Sequence, residues 1–502
     1  VGGLPSVLSG EVMDRAQIAP MDAAFFRRDY DIDVRTGVDV GRLDPTRHQV
    51  HTSAGVLHYD SLIYALGAGT MTPSVFATEA VNVSPLRSPA HLQKILKILE
   101  GGARRVAVVG GGYYGVEAAE CLARRGVHVT LVERGAQLLA EFSPSAAARA
   151  ALALAEQGVE VRLGVTVDQV FQEGDRVTGL ELNGQVLDVD LVVLTTGVRP
   201  RTEIFAAAGG VVLADGSIPV DERCATNLAD VYATSICVSH PHAVTGHHVW
   251  TAQASDADKT AQVAGQNAAG GDARLVPTLG TAIVRAGLLH LARTGHTQVG
   301  GHLEVVRTLV SGSSCDPFFP ERAPLDVALY STRQSERIVG AEVVGHGGVD
   351  KRIDVLATAV LAKLDLRRLG QLDLAYSPPY ATARDILHVA ALVGQQAKRV
   401  RTWEPADFAA RPASAVVVDV RSEAERAASP WAALPLSLSE IRQDPAGLDN
   451  NATVVFVCET GRSSYLAACA AVQRGCHGAG YVSGGLRALR ALAVEQHARQ
   501  TA

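Results

Sequence analysis

Three glycines, Gly110, Gly112 and Gly115, stand at the spacing G-x-G-x-x-G. They follow a run with the composition of a buried strand, RRVAVV, and open a stretch of helical period, YYGVEAAECLARRG;. The first glycine permits a tight turn and the second lets a phosphate group approach the backbone. The third allows the helix to pack close on the strand. The N-terminus of that helix adds free N–H donors and positive dipole, so the segment predicts a βαβ dinucleotide-binding module. Glu133 ends the next strand, 23 residues after Gly110. Modules of this kind carry a ribose-binding acid about 20 residues on. A carboxylate there repels a 2′-phosphate, so NADH is expected ahead of NADPH, with Arg134 offsetting part of the repulsion. A turn that merely needed small residues would have no reason to carry an acid at that distance.

The rest of the chain continues the alternation of strand and helix, which predicts an α/β fold. HVTLVERG reads as a strand, SAAARAALALAEQG as a helix and DLVVLTTGVRP as a later strand. Between about Leu275 and Gln396, the strands ALYSTR and RIVGAEVVG and the helix DKRIDVLATAVLAKLD read as a separate α+β unit. GQQAKRVRTWEP reads as a linker, after which a small α/β domain restarts. At about 150 residues per domain, 502 residues suit roughly three domains;. Lys+Arg number 46 against 52 Asp+Glu, with no basic stripe, so no nucleic-acid partner is expected;. No apolar run approaches the ~20 residues of a membrane helix, and the first residues lack a secretory signal pattern. Seven cysteines, an odd number, read as thiols of a cytoplasmic protein, not as a disulfide scaffold;.

Cys458 follows the buried run TVVFV and precedes the helix SYLAACAAVQRG. Its loop, Cys458-Glu459-Thr460-Gly461-Arg462-Ser463-Ser464, resembles the rhodanese active-site loop Cys-x-x-Gly-x-Arg-Ser. A cradle of backbone N–H groups at a helix N-terminus favours a thiolate or persulfide anion. Arg462 would attract an anionic sulfur donor, and Ser463 or Ser464 would cap the helix. Arg462 stands one place earlier than in the resembled motif. Asp419 and Arg421 match the motif that opens such a domain and are expected to be structural.

Over nearly its whole length the chain resembles the pyridine nucleotide-disulfide oxidoreductases. It is most similar to their coenzyme A-disulfide reductase and NADH oxidase branch, in the form fused to a C-terminal rhodanese. SLIYALGAGTMTP and TTGVRP, with Gly67 and Gly197, resemble the segments that join the flavin and nucleotide domains. The resemblance implies Rossmann-like FAD- and NAD(P)-binding domains, an α+β dimerisation domain and an α/β rhodanese domain. Their implied bounds are 1–90 and 210–270 (FAD), 91–209 (NAD(P)), 271–396 (dimerisation), 397–403 (linker) and 404–502 (rhodanese). It further implies that Tyr113 gates the nicotinamide pocket, that Glu117 lies near the nicotinamide ring, and that Tyr376 or Tyr380 approaches the partner subunit's flavin in a homodimer.

The departures concern flavin. The chain begins after the family's first glycine fingerprint, and Gly2-Gly3-Leu4-Pro5 stands where the family has Cys-Gly-Leu-Pro. Thr234-Ser235-Ile236 replaces its Ala-Gly-Asp. A start at a late valine codon explains the first loss but not the other two. Two readings stay open: an eroded flavin site, or drift that leaves flavin bound. The expected function is an FAD-dependent NAD(P)H oxidoreductase acting on a small thiol, disulfide or persulfide, with Cys458 and Arg462 as catalytic residues of the sulfur site. The alternative is a flavin-free sulfurtransferase on an NAD-binding dimer scaffold. His240, His242, His247 and His248 read as a solvated loop, and no metal site is expected. Cys121 and Cys469 read as core, and no cysteine pair has dithiol spacing.

Overall fold

The computed structural model describes residues 2–12, 21–396, 400–443, 452–490 and 492. The chain divides into two compact units, one comprising Val1–Arg134, Gly158–Glu160 and Val165–Gly280, the other Gly135–Gln157, Val161–Gly164 and Thr281–Ala502.

In the first unit, strands Val83–Pro85, Leu191–Leu194, Arg105–Val109 and His128–Glu133 lie side by side in that order, all parallel. Val106, Ala107 and Val108 of the central strand are almost wholly buried, as a strand covered on both faces requires;. Helix Tyr113–Ala123 packs on this sheet through Val116, Ala118, Ala119 and Leu122. DLVVLTTGVRP, expected as one strand, is two. Gly197, at φ +98°, turns the chain out of the parallel sheet after Leu194 and into Val198–Pro200, which pairs with Ala68–Thr70. Strand Leu62–Tyr64 pairs in parallel with Val231–Ala233, and the Tyr64 hydroxyl donates to the Arg201 carbonyl at 2.7 Å.

The histidine segment is a correction to the expected loop. Val238–Pro241 pairs antiparallel with His248–Trp250. His240 and His242 are buried, while His247 and His248 are exposed. Val238, Ser239 and His240 are all buried in that strand, which a count of polar residues does not reveal.

In the second unit, five antiparallel strands run in the order Ala282–Ala286, Leu289–Gly295, Ile338–Gly345, Pro324–Thr332, Val305–Ser313. Helices Val349–Leu361 and Ile386–Gln396 accompany this sheet. Helix Pro144–Glu156, expected within the nucleotide domain, groups with this unit. Its Arg149 pairs with Asp326, and the Ser143 N–H that precedes it donates to Glu342 at 2.6 Å.

The C-terminal part of this unit is a parallel sheet in the order Arg401–Trp403, Ala479–Val482, Val454–Val457, Val416–Asp419, Leu434–Pro435. Arg401–Trp403, expected as linker, is therefore the edge strand. The apolar Trp403 ring explains the difference: it is buried, with the Arg401 guanidinium over it. Residues 397–399 of the expected linker lie outside the described residues. Val418, Phe456 and Tyr481 form the core of this sheet, each apolar side chain contributing roughly 1.5–3 kcal/mol by burial;.

Candidate functional sites

The nucleotide turn shows a different use for each glycine. Gly110 adopts φ +110°, and a Cβ on it would meet the Thr195 carbonyl oxygen at 2.6 Å. A Cβ on Gly115 would come within 1.8 Å of the Gly110 oxygen, so helix and turn are closer than any side chain allows. Gly112 has open space where its Cβ would point, and it is the N-cap of the helix. The open position faces the bare helix N-terminus, which is the cradle a pyrophosphate needs. Glu133 reaches the same turn, accepting the Gly111 N–H at 2.6 Å. Arg134 is exposed. Tyr113 and Glu117 are half-buried on the first turns of the helix. These residues fit a nicotinamide dinucleotide. Thr195, whose hydroxyl lies 2.9 Å from the carbonyls of both Val109 and Gly110, braces the turn. Its position 85 residues from Gly110 left it without a signal in the sequence.

The flavin residues that are present fit in their backbone and not in one side chain. Gly67 sits at φ +63°, and its Cβ would approach Ser235 Oγ at 3.6 Å and Ile236 Cγ1 at 3.7 Å. Ser235 occupies φ +75°, a conformation suited to glycine, which is what the resembled motif has there;. The Trp250 indole N–H donates to the Ile236 carbonyl at 2.9 Å and holds the turn. Ile236 itself offers no side-chain donor or acceptor to a flavin, so binding here relies on backbone groups.

Cys458 is buried in its loop, 4% exposed. Its Sγ accepts N–H bonds from Gly461 at 3.2 Å and Ser464 at 3.4 Å. Gly461, at φ +86°, is the N-cap of helix Arg462–Gln473 and makes no side-chain cap. The expected serine cap is thus replaced by the sulfur itself, which accepts from the third helical residue. The Ser464 hydroxyl instead donates to the Gly461 carbonyl at 3.0 Å. This arrangement aims the sulfur at the N–H groups of a helix N-terminus.

Arg462 is exposed and forms no ion pair among the described residues. Asp419 and Arg421 form a buried bidentate pair, with bonds of 2.7–3.1 Å. The Ser483-Gly484-Gly485 turn backs the loop: Leu486 N–H donates to the Cys458 carbonyl at 2.9 Å. Gly485 at φ +63° leaves no room for a side chain there, its Cβ falling 2.3 Å from the Cys458 carbonyl oxygen. The signal in the sequence that points to Gly485 is a glycine pair one residue after the buried strand Ala479–Val482.

Tyr376 and Tyr380 are exposed, and Tyr376 donates to Asp316 at 2.9 Å, a bond that raises its phenol pKa. Cys121 is buried and Cys469 half-buried. Among the described residues no group of three His, Cys, Asp or Glu is placed to hold a metal ion. Nor is any described helix long and apolar enough to cross a membrane.

The model of the pyridine nucleotide-disulphide oxidoreductases matches residues 1–264. The chain belongs to this family. A rhodanese-like domain model matches residues 404–492. The chain is 28% identical over 398 residues to the NAD(P)H coenzyme A polysulfide/persulfide reductase of Pyrococcus horikoshii, covering 78% of this chain and 88% of the relative. It is 27% identical over 398 residues to an NADH oxidase of Methanocaldococcus jannaschii, covering 77% and 88%. Among solved structures, the NAD-dependent persulfide reductase of A. fulgidus superposes with a TM-score of 0.90 at 29% identity, over 97% of this chain and 92% of that one. The reduced CoADR-RHD of Bacillus anthracis gives 0.92 at 25% identity, over 98% and 91%. The family member is thus an α/β oxidoreductase joined to a rhodanese-like domain.

Proposed function

We propose that this protein is an FAD-dependent NAD(P)H oxidoreductase of the disulfide or persulfide reductase type, with its rhodanese domain as sulfur carrier. The observation that carries the reading is the presence in one chain of a glycine turn shaped for a dinucleotide and a cysteine sulfur held by N–H donors at a helix N-terminus. Gly110, Gly112 and Gly115 hold the pyrophosphate of NADH, and Glu133 takes its ribose. Tyr113 and Glu117 line the nicotinamide end. Gly67, Gly197 and the Ser235–Ile236 turn hold flavin, which when bound supplies a two-electron relay between nicotinamide and a sulfur substrate.

Cys458 attacks the outer sulfur of a persulfide or other sulfane donor. A bond forms between Sγ and that sulfur as the donor's S–S bond breaks, and the leaving thiolate or sulfite takes the electron pair. Arg462 draws in the anionic donor. The substrate class is a small thiol persulfide or disulfide, coenzyme A persulfide foremost, after the named relatives. The protein acts as a cytoplasmic homodimer, a reading supported by its free thiols and by the exposed Tyr376 and Tyr380.

The flavin-free carrier is the less favoured alternative, since relatives matched across both halves are named as reductases. The test is NADH consumption by the FAD-supplemented protein with coenzyme A persulfide, compared with the Cys458→Ser variant for sulfur loading. NADH oxidation that depends on the persulfide is expected. Its absence with every persulfide and disulfide tried would remove the reductase assignment.

A further inference from the structure

The residue after the nucleophile is an acid, and its charge is already taken. Glu459 Oε1 accepts from Arg490 Nη1 at 2.8 Å, and Glu459 Oε2 lies 3.8 Å from Arg421 Nη1. Both Glu459 and Arg490 are about 40% exposed, at the rim of the loop, whereas Arg421 is 1% exposed. Arg490 is held from a second side by the Ser429 hydroxyl at 2.8 Å from Nη2. It belongs to the helical turn that seats on the loop backbone, where Leu486 and Arg487 N–H donate to the Cys458 and Glu459 carbonyls.

Most of the charged groups around this loop are already bonded within the protein. Just after strand Val416–Asp419, Arg421 is committed to Asp419. On the following short helix, Glu425 is tied to Ser422, and Arg426 donates to the Arg421 carbonyl. On the closing helical turn, Arg487 pairs at 2.7 Å with Asp326, which it shares with Arg149, and Arg490 pairs with Glu459. Arg462 is exposed, with no ion pair among the described residues. An approaching anion therefore meets a site in which cations outnumber acids, with Arg462 exposed to it. If Arg490 were absent, Glu459 would keep only the long 3.8 Å pair with Arg421, whose guanidinium is doubly bonded to Asp419. The charge of Glu459, three residues before Arg462 in the loop, would then offset part of the positive field that Arg462 presents;.

We propose that Arg490 is a positioning residue of the sulfur site: by holding the Glu459 carboxylate, it leaves Arg462 free to admit a sulfur donor that carries negative charge. The inference rests on the sulfur-carrier reading of Cys458 and extends it to the charge of the donor.

The test uses the full chain in sulfur transfer to cyanide, with two donors: thiosulfate, a dianion, and dimethyl trisulfide, which is uncharged. Arg490→Gln should raise the KM for thiosulfate about five- to tenfold at low salt, with kcat little changed. For dimethyl trisulfide the KM should move less than about twofold. Arg490→Lys should keep most of the parent's preference. The double variant Arg490→Gln with Glu459→Gln should return the thiosulfate KM to within about twofold of the parent, because the acid that needed masking is gone.

A KM that rises equally for both donors, or a double variant as impaired as Arg490→Gln, would assign Arg490 a structural role and overturn the proposal. A parent protein inert with both donors, and unlabelled at Cys458, would overturn the sulfur-carrier reading and the proposal with it.

Discussion

The Glu133 carboxylate and the Gly111 amide are joined by a 2.6 Å hydrogen bond, so the acid at the end of one strand is fixed against the turn at the end of its neighbour. A ribose arriving at this turn meets a carboxylate already held in place, and a 2′-phosphate meets the same charge as repulsion. NADH should therefore bind more tightly than NADPH, and Glu133→Gln should weaken NADH binding about tenfold while narrowing the difference. Titration of both nucleotides by fluorescence checks this. Equal affinity in the parent would mean that the exposed Arg134 dominates.

Flavin should bind and be lost readily. The Ser235–Ile236 turn presents backbone alone where the resembled motif has an acid, so one charge-assisted contact is missing. Ile236→Asp should raise FAD retention through desalting about tenfold, as read from protein-bound flavin absorbance. A parent that already keeps stoichiometric FAD would show that the backbone suffices.

The sulfur loop should tolerate no methyl group on Gly485. The new Cβ would press on the Cys458 carbonyl and on the Gly461 nitrogen, 2.6 Å away, the same N–H that holds Sγ. Overpacking of this kind costs about 1–3 kcal/mol. Gly485→Ala should keep the fold by circular dichroism and lose tenfold or more of sulfur transfer, while Cys458→Ser should lose all of it.

Asp190 gives the first unit an acid-dependent stability. Burial pushes its carboxyl up, but the Arg105 guanidinium and the N–H groups of Arg104 and Arg105 outweigh this and hold it at about 2. An unfolded aspartate titrates near 3.9. The folded value is the lower one, so the contribution is complete above about pH 4 and disappears as pH falls through about 2. Asp190→Asn should destabilise the protein by about 1–2 kcal/mol at pH 7, allowing for partial exposure, and by almost nothing at pH 2. Urea unfolding of both proteins across that range measures it.

What the sequence made legible was local. Gly110, Gly112, Gly115 and Glu133 lie within 24 residues, and each acts where its neighbours in the chain place it. Cys458 was legible for the same reason. Thr195, Arg490 and Ser429 were not, because they reach their partners only through sheet order and helix seating. DLVVLTTGVRP looked continuous because its apolar residues are continuous; the break depends on the φ of Gly197. The helix 144–156 has the period expected of it, but the partners of Arg149 and of the Ser143 amide come from strands nearly 200 residues later.

Arg401–Trp403 has one more consequence. A fragment cut just after Trp403 would leave strand Ala479–Val482 with unpaired N–H and C=O groups along its outer side, and the surface that Trp403 covers would be wet. Such a strand is a template for another copy of itself. A fragment starting near residue 404 is expected to self-associate through that edge, whereas one that keeps Val400 onward stays monomeric at the same concentration. Where this domain ends is therefore a question of colloidal behaviour as much as of chemistry.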